Sequence, residues 1–180
     1  MALIAVAISS VFFFSSRDVD NGLYSRYIGG DGLEADVVEL PDGTQVSLGS
    51  KTTFHYDKDF GKKQRIVYLE GEAYFDVAKQ KDKPFIVKTK GIDVRVLGTM
   101  FNVSAYPDDH CIQTTLVTGS VRIHTKEGGS IDLKPSQQAE LDNESHELVV
   151  RQVDVSLYTS WIHGKIYFKD ERLEDIMNAL

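Results

Sequence analysis

From residue 35 onward, apolar and polar side chains alternate with a period of two, the spacing that sends successive side chains to opposite faces of a strand. Val46 and Leu48 alternate with Gln45 and Ser47, and Val121 and Ile123 with Arg122 and His124. Ile92, Val94 and Val96 alternate with Asp93, Arg95 and Leu97. Each segment predicts a strand with one buried face. Turn residues interrupt the pattern at short intervals: Asp42-Gly43, Gly49-Ser50, Asp59-Phe60-Gly61, Gly71, Gly91, Pro107-Asp108-Asp109, Thr118-Gly119, Gly128-Gly129 and Asn143-Glu144. That spacing leaves no room for helices between strands. Pro41, Pro84, Pro107 and Pro135 all fall in these breaks, where a missing N–H does no harm. The prediction over residues 35–154 is an all-β domain of many short strands.

Within it, YLEGEAYFDV sets Tyr68, Glu70, Glu72, Tyr74 and Asp76 on one alternating face and Leu69, Ala73, Phe75 and Val77 on the other. Gly71 sits where a bulge or sharp corner would let the strand change sheet. The segment therefore reads as core plus corner. A functional alternative is that an unpaired strand edge of this domain is a ledge for an added strand from a partner.

The two ends depart from the alternation. Residues 2–14, ALIAVAISSVFFF, carry no charge, and Arg17 is the first ionisable side chain. As a helix, residues 1–16 would reach about 24 Å against a hydrocarbon core of about 30 Å. No Lys or Arg precedes the apolar run, which argues against a cleavable signal peptide. We expect the C-terminal part of a transmembrane helix whose upstream turns are missing from this chain; a buried core element is the alternative. Residues 17–34, polar and Gly-rich, read as a linker. After Val153 the alternation breaks again. WIHGKIYF predicts a strand and DERLEDIMNAL a helix capped by Asp170, with Leu173, Ile176, Met177 and Leu180 on one face. Residues 155–180 thus read as a β-α fragment, the start of an incomplete C-terminal α+β domain.

Composition narrows the function. The 180 residues hold 20 Lys plus Arg against 27 Asp plus Glu, a formal charge of −7. Nucleic-acid binding needs a basic stripe, so that class is disfavoured. Hydrophobic residues at 42 % and charged residues at 26 % support a packed core. The single cysteine, Cys111, excludes an internal disulfide framework and a thiolate zinc cluster.

Candidate chemistry is thin. His55, His110, His124, His146 and His163 form no His-x-His or His-x-x-x-His pair, so the sequence carries no compact metal motif. Glu70 and Glu72 lie two apart and would share a face, as on a solvated strand edge, whereas glycosidase carboxylates converge from separate elements across a cleft. Cys111 and His110 point to opposite faces, and no Gly-x-Ser-x-Gly elbow exists. Neither the glycines at 29–32 nor those at 128–129 have the context of a phosphate loop. We assign no catalytic, cofactor-binding or metal-binding residue and expect no enzyme. A carbohydrate-binding or structural β-module is the alternative class, though Tyr24, Tyr27 and Tyr56 do not obviously make a sugar-stacking face.

Five strings then stand out in order: LPDGTQVSLGSKTTFHY (40–56), RIVYLEGEAYFDVAK with KPFIVKT (65–79 and 83–89), VRVLGTMFNVSAY (94–106), TLVTGSVRI (115–123) and LKPSQQAEL (133–141). They closely resemble the periplasmic part of FecR-type anti-sigma factors. The tail from Trp161 resembles the opening of the small domain that follows in that family, one related to the short N-terminal domain of secretins and TonB-dependent receptors. The resemblance implies a twisted, solenoid-like or sandwich-like all-β unit in a single-pass inner-membrane regulator. It also implies a periplasmic contact with the signalling domain of an outer-membrane TonB-dependent receptor and control of an extracytoplasmic-function sigma factor. The sigma factor would be held by a cytoplasmic segment that this chain lacks.

Overall fold

Strands form wherever the alternation places them. The computed structural model describes residues 24–30 and 35–164, and thirteen strands lie among them. They are β1 (Tyr24–Ile28), β2 (Asp36–Glu39), β3 (Gln45–Leu48), β4 (Thr53–Asp57), β5 (Arg65–Asp76), β6 (Phe85–Lys88) and β7 (Ile92–Val96). There follow β8 (Met100–Ala105), β9 (Cys111–Thr118), β10 (Val121–Thr125), β11 (Ser130–Leu133), β12 (Gln137–Asp142) and β13 (Leu148–Gln152). A helical turn, α1 (Ser156–Thr159), runs into a 3-10 turn at Ser160–His163.

The long strand β5 belongs to two sheets. Its first half pairs with β4 and, in parallel, with β6; from Gly71 onward its second half pairs with β8 and, at Ala73–Asp76, with β3. The first sheet runs β1-β4-β5-β6-β7-β10-β11 and the second β2-β3-β5-β8-β9-β12-β13. All pairings except β5–β6 are antiparallel. Side chains still alternate along the whole of β5, with Val67, Leu69, Ala73 and Phe75 all buried. The apolar faces of the two sheets therefore meet.

Aromatic rings mark that meeting. Phe75 of the second sheet lies 6.3 Å from Phe54 and 6.0 Å from Phe85 of the first, and stacks on Phe101 at 5.0 Å. None of the four is exposed. Each such side chain contributes roughly 1.5–3 kcal/mol through burial.

The change of sheet at Gly71 agrees with the corner read from the sequence. Its φ of +114° favours glycine, and a Cβ there would sit 2.7 Å from the Thr52 Cα. Thr52 fills the space so created. Its hydroxyl donates to the Glu72 carbonyl at 3.0 Å and accepts from the Glu72 amide at 2.9 Å, which satisfies the backbone where β5 leaves one sheet for the other.

Two expectations need correction. The linker over 17–34 fails for residues 24–28, which form β1 in register with β4, from Tyr24 opposite Asp57 to Ile28 opposite Thr53. Packing explains this, since the Tyr27 ring stacks on Tyr56 and lies 6.2 Å from Phe54 at the margin of the core. The strand expected from Trp161 fails for residues 161–163, which lie in the 3-10 turn. There the Asp154 carboxylate accepts from the amide and hydroxyl of Ser156, a side-chain-to-backbone turn that starts a helix in place of a strand. The apolar stretch at 1–16 and the helix over 170–180 lie outside the described residues. Among the described residues no helix is long and apolar enough to cross a membrane.

Replacing Gly71 by alanine combines a left-handed backbone with a collision against Thr52. We expect a loss of about 3 kcal/mol in a denaturant titration, well beyond an ordinary Gly-to-Ala change in a strand.

Candidate partner-binding surfaces

Among the described residues, four strands have a neighbour on one side only: β1 and β11 in the first sheet, β2 and β13 in the second. Ile28, Val37 and Val149 are exposed apolar side chains on three of these edges. The aromatic segment Tyr68–Phe75 is not on an edge strand: β5 has partners on both sides at Val67–Tyr68 and Ala73–Asp76, and on one side across Leu69–Glu72 between them. A ledge for an added strand would therefore be sought on β1, β2, β11 or β13.

The residues weighed for catalysis are dispersed. Gly71 separates Glu70 and Glu72, so Glu70 lies opposite Thr53 in the first sheet and Glu72 opposite Ser104 in the second. They do not form the shared solvated edge expected from their spacing. Glu70 is exposed, while Glu72 is largely buried and accepts from the Asn102 amide nitrogen at 2.7 Å. Burial pushes the Glu72 carboxyl above its usual range, and the Asn102 hydrogen bond opposes that shift only in part. His55 stacks on Tyr68 at 4.6 Å, His146 Nδ1 lies 3.5 Å from Glu127 Oε1, and His110, His124 and His163 are exposed. Among the described residues no three His, Cys, Asp or Glu side chains gather as a metal site would require. Cys111 is half-buried, and burial, followed by the nearby Glu140 carboxylate, raises its thiol pKa. Tyr27 and Tyr56 pack against the core and stack on each other, which withholds that pair of ring faces from a sugar.

The outer faces of the two sheets differ. On the second, Tyr74, Asn102, Thr115, Gln138 and Arg151 stand directly opposite one another on five successive strands. Gln138 donates to Thr115 at 2.8 Å and accepts from Arg151 at 2.9 Å, and Arg151 also pairs with Glu140 at 2.6 Å. Thr115 and Gln138 are 1 % and 0 % exposed, so the middle of this polar row is closed to solvent while Arg151 at its end is exposed. On the first sheet, Ile66, Ile86, Arg95, Arg122 and Asp132 form the corresponding row, and its charged end is exposed.

Beside that charged end runs the loop Ala78–Pro84, with Lys79, Lys81, Asp82 and Lys83 exposed. A buried arginine holds both of its ends. Arg65 is 0 % exposed, donating from Nη1 to the Ala78 carbonyl at 2.7 Å and from Nε to the Lys83 carbonyl at 2.9 Å. Its charge is met by Asp42 at 2.8 Å, and the guanidinium lies 5.4 Å from the centre of the Phe85 ring. Asp42 also accepts from the amide and hydroxyl of Thr44, whose hydroxyl accepts from the Ala78 amide at 3.1 Å. The remaining Arg65 nitrogen, Nη2, is buried without a partner. Sequence reasoning passed over this cluster. The period-two parity of β5 places Arg65 on the inward face with Val67, Leu69, Ala73 and Phe75, and the Lys-x-Lys-x-Lys spacing at 79–83 marks the loop; neither signal shows that the two are joined.

Removing one partner of the buried pair leaves the other uncompensated. Arg65→Ala should cost roughly 3–5 kcal/mol in a denaturant titration and open the 78–84 loop to limited proteolysis. The double change Arg65→Met with Asp42→Asn should cost less than Arg65→Ala alone, because no lone charge remains buried. For Glu72 the folded pKa lies above the ordinary value near 4.5, so its contribution to stability is fully present below that pH and is lost as pH rises through the folded value. Glu72→Gln should therefore gain stability relative to the parent chain as pH rises across that window, measured by denaturant midpoints from acid to neutral pH.

Comparison with known proteins agrees with this architecture. The model of the family described as FecR protein matches residues 31–122. Two crystal structures of a putative anti-sigma factor from Parabacteroides distasonis ATCC 8503, at 2.50 Å and 1.65 Å, share 34 % identity with the chain and superpose with a TM-score of 0.77. The alignments cover 87 % and 86 % of this chain and 73 % and 72 % of those chains, respectively. Comparison with the curated proteins finds no match. A family model spanning half the sequence, joined to a shared fold at this identity over most of its length, places the chain in the FecR family of anti-sigma factors.

Proposed function

We propose that this chain supplies the partner-sensing β-domain of a single-pass inner-membrane anti-sigma regulator. In this reading the apolar stretch at 1–16 belongs to the membrane anchor and the two-sheet domain lies in the periplasm. The domain meets the signalling domain of an outer-membrane TonB-dependent receptor. The receptor's state then passes to an extracytoplasmic-function sigma factor through a cytoplasmic segment preceding the anchor.

The observation that carries the reading is FecR membership, with 34 % identity to a structure described as an anti-sigma factor. The class is regulatory rather than enzymatic, and the domain's polar groups act in packing and in surface charge. A shared central strand joins the two sheets around one core. Relay requires a partner that binds two states of the regulator unequally, because a ligand shifts an equilibrium only by its differential affinity.

Deleting the gene should change transcription of a discrete set of genes preceded by one promoter class, read by RNA sequencing. A tagged chromosomal copy should fractionate with the inner membrane, its β-domain open to protease added to spheroplasts. A product recovered wholly in the cytosol, with an unchanged transcriptome on deletion, would overturn the proposal.

A further inference from the structure

The first sheet ends in a charge distribution at odds with the chain as a whole. The protein carries a formal charge of −7, yet Lys81, Arg95 and Arg122 gather here against Asp82 and Asp132. Arg95 and Arg122 stand directly opposite each other on β7 and β10, an arrangement that destabilises a sheet. Asp132 engages Arg122 through two hydrogen bonds of 2.7 and 2.8 Å. Arg95 has no carboxylate partner among the described residues.

The lysine loop is also held in place. Arg65 grips its two ends, the Gln80 amide donates to the Leu97 carbonyl at 2.8 Å, and Gly98 lets the Lys79 backbone lie where a Cβ would come within 2.7 Å of it. A cleft of about 470 Å³ lies between loop and sheet, lined by three cations, Lys81, Arg95 and Arg122, two carboxylates, Asp82 and Asp132, and the apolar side chains of Val121 and Leu97. Leu97 is 45 % exposed, on the same face as Arg95. Ile86 and Ile66 continue the row from Arg95 across the sheet, both half-buried.

We propose that this cleft docks an acidic segment of a protein partner, with carboxylates on Lys81, Arg95 and Arg122 and an aliphatic side chain on Leu97. A free anion would need a single convergent point of charge. Here the cations follow a line across two strands and a loop, with apolar side chains set among them, which suits an extended segment alternating acidic and aliphatic residues. The fixed loop lowers the ordering cost of binding. The proposal deepens the partner-sensing reading and rests on it.

The direct test uses a fluorescein-labelled peptide repeating Glu-Asp-Leu, followed by anisotropy against the intact chain. Binding should weaken as salt rises and fall at least about tenfold in Lys81→Glu/Arg95→Glu. The milder Lys81→Gln/Arg95→Gln should fall between, and circular dichroism of both should match the parent. Lys62→Glu/Lys63→Glu, in the turn between β4 and β5, should leave binding unchanged. A peptide repeating Glu-Asp-Ser should bind more weakly than the leucine version. Equal binding by the parent and the charge-reversed chain, no binding by the parent, or binding only to phosphatidylglycerol vesicles would each overturn the proposal. In cells, a transcriptome altered by gene deletion but not by Lys81→Glu/Arg95→Glu would sink the cleft alone; one untouched by deletion would sink the regulator reading itself.

Discussion

The structure depends on one strand serving two sheets. β5 keeps its alternation from Arg65 to Asp76 while its hydrogen-bonding partners are exchanged at Gly71. The exchange needs a residue with no Cβ, because Thr52 occupies the space beside it, and it needs a hydroxyl to satisfy the backbone of Glu72. Given those two conditions, the inward side chains of both halves point into the same interior. Phe54, Phe75, Phe85 and Phe101 then form one aromatic centre rather than two partial ones.

The buried ion pair of Arg65 and Asp42 has a different role. Taking a guanidinium out of water is costly, and an apolar residue of similar volume would stabilise the start of β5 at least as well. What the arginine adds is reach. From one buried position it binds carbonyls at both ends of the Ala78–Pro84 loop and meets a carboxylate from the β2–β3 turn. A loop whose exposed side chains are mostly lysine would otherwise gain little from packing. The pair thus links the core to a charged surface, and the rigidity of that surface is bought with a desolvated charge.

The two outer faces divide the surface between closure and exposure. The row from Tyr74 to Arg151 satisfies most of its polar groups internally and hides Thr115 and Gln138. The row from Ile66 to Arg122 leaves unlike environments side by side, half-buried isoleucines next to exposed and partly unpaired cations. The second arrangement is the one on which the proposed docking cleft for an acidic segment rests.

Strand content, the all-β class and the corner at Gly71 were legible in the sequence, because period-two alternation and a lone glycine in a strand are local signals that tertiary packing only had to accept. The five ordered strings likewise led to the family. Other features depended on contacts between distant residues. β1 falls in a segment whose glycines and polar residues read as linker, and it is a strand because Tyr27 finds Tyr56 and Phe54 across the chain. Glu70 and Glu72, neighbours in sequence, belong to different sheets because Gly71 lies between them. Arg65 shares the inward parity of Val67 and Leu69, and a charge is accommodated there because a carboxylate 23 residues earlier and two carbonyls later in the chain converge on it. Alternation specifies which face of a strand is apolar; which strands share that face, and which charges are buried with it, is decided only when long-range pairing brings the partners together.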